Sequence, residues 1–380
     1  MHNLAPFFIL CGFGFAAFFS SYLRIPVLPL FAASLGATPA QVGLINGAFM
    51  VTAGLLSIPA GLLLDRFGRK LPVIAGLLAI ASSSLLITQC RTPGEMVASY
   101  LLFGVGMAAF APGMMALVAD TVPSNRIGQA YGWYTTAVYL AMTLGPAAGG
   151  YLARSAGLRQ VFLISGGLLV VIAIFALMAL PSGGARHKTE IHVMLASSVE
   201  LLKNATLTSC LLATVGSCIG FGVFLTFTPL FASKCGLDPA KVGLVFAAQA
   251  FSNVVSRVPI GILANRVDRY RIVAAGLICM AAALTALGQV TQLSAMVVCA
   301  LLLGLGMALT YTAIGALIAD GVPPRQRGLA MGMYNSCIYL GMMTGSTAMG
   351  VALQRIGYPL GFTLAGGVAL LASLYLFRQK

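Results

Sequence analysis

The amino-acid sequence predicts an all-α integral membrane protein, built as two six-helix bundles related by a pseudo-two-fold axis around a central cavity. Three observations carry that expectation. First, only 8% of the 380 residues are charged and 59% are hydrophobic. A soluble domain carries roughly 25% charged residues, so this chain cannot cover a water-facing surface and lipid must be its main solvent. Second, charges and Gly/Pro clusters cut the chain into about twelve uncharged runs near the length of a membrane-spanning helix. Third, the chain repeats itself after 200 residues without gaps.

The runs fall at 6–31, 40–63, 71–90, 96–118, 128–153 and 160–180, and again at 205–232, 240–263, 272–290, 294–318, 328–353 and 358–377. Each must satisfy its own backbone hydrogen bonds in lipid, and each is too long for a barrel strand, so each reads as a helix. The first run has no basic leader and outlasts a signal core, so it is expected to be retained. The repeat is explicit in the letters. "PLFA" at Pro29 returns at Pro229, "PAQVGL" at Pro39 as "PAKVGL" at Pro239, "LLFGVGMA" at Leu101 as "LLLGLGMA" at Leu301, and "ADTVP" at Ala119 as "ADGVP" at Ala319. An even number of spans returns each half to the same side, so both halves share one topology. The expected domains are 1–180, a polar linker at 181–204 whose tail could form a surface helix, and 205–380.

The formal net charge of +14 is distributed unevenly. With the N-terminus inside, 14 of the 22 Lys and Arg residues fall on the cytoplasmic side and six outside, while Arg24 and Arg257 fall within spans. This follows the positive-inside rule and places both termini in the cytoplasm, in a cell inner membrane. The basic balance is thus read as contact with membrane lipids, not with nucleic acid. The eight cysteines form no CxxC pair and lie mostly in apolar runs, where free Cys behaves as a small hydrophobe. His2, His187 and His192 fall in the terminus and linker, and the span-11 methionines are spread round their helix, so no metal and no cofactor is expected.

One charged stretch stands out: Gly61-Leu62-Leu63-Leu64-Asp65-Arg66-Phe67-Gly68-Arg69-Lys70, between spans 2 and 3. With the duplication, it makes the chain resemble the major facilitator superfamily over essentially its whole length. The resemblance implies a secondary transporter working by alternating access, an expected monomer with a small-molecule substrate. In that family this stretch is a cytoplasmic gate, which implies gate roles for Asp65, Arg66, Gly68, Arg69 and Asp120. In the layout that the resemblance implies, Asp65 would sit near the N-terminus of span 11, where an anion meets the positive helix end, and Arg69 can pair with Asp120. The echo keeps Arg266 and Arg269 but has Asn265 for the acid, which predicts an asymmetric gate.

Span 5 ends in Gly145-Pro146-Ala147-Ala148-Gly149-Gly150, which is similar to the family's antiporter signature, and the second half does not repeat it. Drug antiporters of the family usually carry R-x-x-x-G in span 4, whereas here the stretch reads Tyr100-Leu101-Leu102-Phe103-Gly104. No acid lies at mid-membrane depth, which argues against cationic cargo and against a carboxylate proton relay. Arginine stays charged and offers a fork suited to carboxylate. Asn253 lies one turn before Arg257 on the same face, and the pair is similar to the Asp-x-x-x-Arg of monocarboxylate transporters, with Asn for Asp. The expected substrate residues are therefore Arg257, Asn253 and Arg24, followed by Asn46, Gln249, Tyr139, Asn335 and Tyr339. For Arg24 and Arg257 the competing reading is snorkelling to the interface. The favoured cargo is a small organic anion such as a monocarboxylate, and the alternative is multidrug efflux coupled to protons. No clustered His, Asp, Glu or Ser set suggests an enzyme.

Overall fold

The computed structural model describes residues 5–123, 126–180, 201–323 and 326–378. The linker as far as residue 200, the surface helix sought there and the side chain of Asp65 lie outside the described residues. The helices are α1 (Ala5–Tyr22), α2 (Val27–Ser34), α3 (Pro39–Phe67), α4 (Lys70–Ile87), α5 (Pro93–Thr121), α6 (Ile127–Ala156) and α7 (Leu158–Ala179). They continue with α8 (Ala205–Lys234), α9 (Pro239–Leu263), α10 (Arg269–Leu287), α11 (Leu293–Gly321) and α12 (Arg327–Arg378).

Ten segments among the described residues are long and apolar enough to cross a membrane. Two differences from the expected spans have local causes. α6 is 30 residues long but is diluted by Gln129, Thr135, Thr136, Thr143 and Ser155, so it is not counted among the ten. α12 contains Gly357 at φ 77°, a left-handed residue that separates the two expected runs at 328–353 and 358–377. Span 1 is also not one rod. α1 stops at Tyr22 and α2 starts at Val27, with Pro26 between them. Proline has no N–H to donate to residue 22, so the chain tightens there: Ile25 N–H donates to the Tyr22 carbonyl (3.2 Å) and Val27 N–H to the Arg24 carbonyl (3.1 Å).

The chain divides into two compact units. One comprises residues 1–37, 48–189 and 238–243, the other 38–47, 190–237 and 244–380. In the first, α4 packs on α5 and α7, and α1 on α6. Gly76 and Gly106 touch backbone to backbone, where a Cβ on Gly76 would stand 2.8 Å from the Gly106 carbonyl oxygen. In the second unit α10 packs on α11 and α12, and α8 on α12. Gly276 and Gly306 repeat the close contact at the same 2.8 Å. Between membrane helices the gain is van der Waals packing, which small residues permit at short range. Leu207, Leu277, Ile314 and Ala330 are fully buried in the core of the second unit.

Two helix starts on equivalent places of the halves show ordinary capping chemistry. Thr38 and Gln41 cap α3 reciprocally, Gln41 N–H to Thr38 Oγ1 (3.3 Å) and Thr38 N–H to Gln41 Oε1 (2.9 Å). Asp238 takes the same place before α9 and accepts from Lys241 N–H (3.0 Å). That bond, with Arg154 and Lys241 nearby, holds its carboxyl below the usual range.

Candidate substrate site and gate

The break between α1 and α2 delivers Arg24 into the interior of the first unit. Its relative exposure is 0%, so it does not snorkel. Nη1 donates to Ser84 Oγ at 2.7 Å, and Ser84 in turn lies 3.4 Å from Ser165 Oγ. Ser165 is anchored by donating to the Ser20 carbonyl at 2.7 Å. The guanidinium lies over the Phe103 ring, 3.7 Å from its centroid, and 5.5 Å from that of Tyr100. Phe49 closes the aromatic group, 4.7 Å from Phe103 between centroids. Nε and Nη2 of Arg24 and the phenolic oxygen of Tyr100 are buried without a hydrogen-bond partner among the described residues. The antiporter-like glycines of α6 hold this break in place. Gly145 packs on Tyr22, and Gly149 lies against the carbonyl of Leu23, where any Cβ would collide with backbone.

In the second unit, α9 presents Gln249, Asn253 and Arg257 four residues apart on one face. Arg257 Nε donates to Asn253 Oδ1 at 3.0 Å, Asn253 Nδ2 to the Gly304 carbonyl at 3.3 Å, and Gln249 Nε2 to Met307 Sδ at 3.0 Å. Gln249 and Asn253 are buried and Arg257 is half-buried. Asn46 belongs to a different cluster of the same unit. Its Nδ2 donates to Thr226 Oγ1 (3.2 Å), and Thr226 lies 2.8 Å from Ser346 Oγ. Tyr139 is half-buried on α6, Tyr339 half-buried and Asn335 exposed on α12. Of the expected substrate residues, Arg24 thus belongs to one group, Gln249, Asn253 and Arg257 to an α9 stripe, and Asn46 to a third cluster. Ser84 and Ser165 around Arg24, and Thr226 and Ser346 beside Asn46, had no signal of their own in the sequence, and Tyr100 and Phe103 were marked only as the stretch that departs from the span-4 arginine motif. Only packing across helices brings them together.

At the charged loops the two halves are comparable. Arg69 Nε lies 3.4 Å from Asp120 Oδ2. The echo pairs Arg269 with Asp320, and Arg269 also donates to the carbonyls of Ala264 and Ala316, both at 3.2 Å. Asp320 was missed as a gate residue, although the 200-residue shift from Asp120 points to it. Arg66 is exposed beside Phe67. Gly68 has φ 80°, whereas Asp268 at the matching place has φ −53° and caps α10 by accepting from Tyr270 N–H (2.9 Å). Asn265 and Arg266 are exposed just past the end of α9. Pro146 and Gly150 lie in α6, with Gly150 packed on the backbone of Pro239 and Gly243.

A family model described as Major Facilitator Superfamily matches residues 10–239 and 210–380. The chain belongs to the Major Facilitator Superfamily. Among relatives of this superfamily, an uncharacterized MFS-type transporter of Methanocaldococcus jannaschii is 25% identical, covering 93% of this chain and 90% of that one. Multidrug resistance protein 2 of Bacillus subtilis is 26% identical over 96% of this chain and 94% of its own. The multi-drug resistance efflux pump PmrA of Streptococcus pneumoniae is 27% identical, with 88% and 86% covered. The solved nucleoside transporter NupG, as a mutant, superposes with a TM-score of 0.87 at 12% identity over 98% of this chain and 99% of that one. A bacterial homolog of the lysosomal transporter Spinster does so with 0.81 at 15%, covering 100% and 97%. The fold is therefore that of the superfamily. The protein is a multi-pass membrane transporter of small molecules.

Proposed function

We propose that this transporter moves a small organic anion by alternating access, with Arg257 and Arg24 as counter-charges. The observation that carries this reading is the placement of charge. Among the described residues Arg24 is fully buried in the break between α1 and α2 and Arg257 lies six residues inside the end of α9, whereas the other Lys and Arg residues lie within a few residues of helix ends or of the Gly357 kink, or in loops, and Glu95, Asp120, Asp238, Asp268 and Asp320 lie at helix ends or in loops. A buried cation in a low-dielectric site favours an anion and rejects another cation. The halves are 1–180 and 205–380, joined by the cytoplasmic linker 181–204, in an inner membrane with both termini cytoplasmic. Asp65, Arg66, Gly68, Arg69 and Asp120, with Asn265, Arg266 and Arg269, form the cytoplasmic gate. Gly145, Pro146, Gly149 and Gly150 supply a close-packed seal. The role is transport, not catalysis, and the working unit is a monomer.

The test is uptake into proteoliposomes of radiolabelled monocarboxylates. Loss of transport in a folded Arg257→Lys variant is expected, because the fork is lost while the charge remains. Unchanged uptake and affinity in Arg257→Ala would sink the assignment of Arg257.

A second reading is proton-coupled drug efflux. It is favoured by the glycine series of α6 and by relatives named for drug resistance. It is opposed by Tyr100 in place of the span-4 arginine. A resistance assay over cationic, neutral and anionic drugs separates the two, since protection against cationic drugs alone selects efflux of the second kind.

A further inference from the structure

Arg24 is an expensive residue as it stands. A charge at full burial in a membrane protein carries a cost of several kcal/mol unless it is paired, and among the described residues no carboxylate forms an ion pair with it. One hydroxyl bond from Nη1 and the Phe103 face satisfy part of the guanidinium. The two donors left over, Nε and Nη2, share one edge of the planar fork, the edge that meets both oxygens of a carboxylate. The phenolic oxygen of Tyr100, also orphaned, belongs to the same cluster. The remaining lining is aromatic: Phe103, the ring of Tyr100 and Phe49.

From this geometry we infer that Arg24 and Tyr100 form a closed subsite for the carboxylate of an aromatic or otherwise apolar monoanion. This rests on the anionic-cargo reading above and assigns it a place and a substrate class. The Nε/Nη2 edge takes the two carboxylate oxygens, and the Tyr100 hydroxyl donates to one of them. Phe49 and Phe103 face the apolar body of the cargo. A monoanion suits the site because it balances the single buried charge, whereas a second negative charge would be left uncompensated. Ser84 and Ser165 position the guanidinium through the Ser84–Nη1 bond and the Ser165 bond to the Ser20 carbonyl. Arg24 and Tyr100 are 0% and 1% exposed, so cargo enters only when the α1–α2 break moves away from α5. A discontinuous helix is where a transporter can make such a move without breaking a continuous hydrogen-bond ladder. Pro26 supplies that discontinuity here.

The experiment uses the purified full-length protein in detergent, with benzoate as probe and benzamide, chloride and phosphate as controls. Thermal shift and radiolabelled benzoate binding are read together. Benzoate raises the melting temperature of the wild type, and the three controls do not. Arg24→Lys keeps the charge and loses the fork, and its benzoate affinity falls about tenfold or more. Tyr100→Phe keeps the ring and loses one donor, and its affinity falls about threefold to tenfold, the scale of one hydrogen bond. Wild-type benzoate affinity in folded Arg24→Lys overturns the inference. If the Arg24 variants do not fold, Tyr100→Phe decides, and unchanged affinity there overturns it too. Chloride acting like benzoate also overturns it in favour of an inorganic anion site. If Arg257→Ala abolishes benzoate binding while the Arg24 and Tyr100 variants retain it, only this subsite fails. If the wild type neither binds nor transports any carboxylate, the anionic-cargo reading fails, and the subsite with it.

Discussion

At position 24 the first half of the chain carries a buried guanidinium, and at position 224, its echo, the second half carries Phe224. Both are fully buried. Two residues on, Pro26 is matched by Thr226. The helix breaks at Pro26, while α8 runs unbroken from Ala205 to Lys234, even through Pro229. Pro29 is shared by both halves and breaks neither, so Pro26 makes the difference. Thr226 has its N–H for the helix and spends its hydroxyl on Asn46 and Ser346. Phe224 packs on Phe246 at 4.9 Å between centroids. The duplicated fold thus tolerates two solutions at one place, an apolar plug in one half and a cation on a broken helix in the other. The charged site belongs to the sequence of the first half, not to the architecture.

Transplanting the cation tests that lesson most severely. Phe224→Arg buries a charge in an unbroken helix, where the echoes of Ser84 and Ser165 are Leu284 and Ala365. We expect a destabilisation of several kcal/mol, read as loss of monodisperse protein by size-exclusion chromatography. A well-folded Phe224→Arg protein would show that the second half is equally prepared. Gly149→Ala comes next. Its Cβ meets the Leu23 carbonyl, so the break must shift, at about 1–3 kcal/mol, with a matching loss of uptake. Normal uptake would free Arg24 from any dependence on α6.

The charged loops give a finer contrast. Asp65→Asn is expected to lower transport more than Asn265→Ala, measured as initial uptake rate, and equal effects would refute an asymmetric gate. Asp120→Asn and Asp320→Asn should cost similar, small amounts, about 1 kcal/mol or less each, because both half-exposed Arg–Asp pairs are present. The smallest effect concerns pH. Folding lowers the Asp238 pKa, so its contribution is present at neutral pH and fades as pH falls through its folded value. The wild-type melting temperature should therefore drop slightly more than that of Asp238→Asn on acidification below the ordinary carboxylate range.

Much was legible before any coordinates. Scarce charge, apolar run length and the 200-residue repeat suffice for an all-helical membrane fold in two like halves, because lipid leaves a spanning segment only one way to satisfy its backbone. The "GLLLDRFGRK" stretch pointed to the family. The Asn253–Arg257 bond was legible as well, since residues four apart on a helix are neighbours by construction. The Arg24 site was not. Position 24 could be marked as costly, but Ser84, Tyr100 and Ser165 lie 60 to 141 residues away, and their convergence on Arg24 is a matter of how α1, α4, α5 and α7 pack. The sequence alone determined which residues had to be in the membrane. Tertiary structure alone decided that Arg24 is buried with two donors unspent, because helix periodicity governs neighbours within a span, whereas neighbours across spans depend on small residues such as Gly145 and Gly149 that let one backbone settle against another.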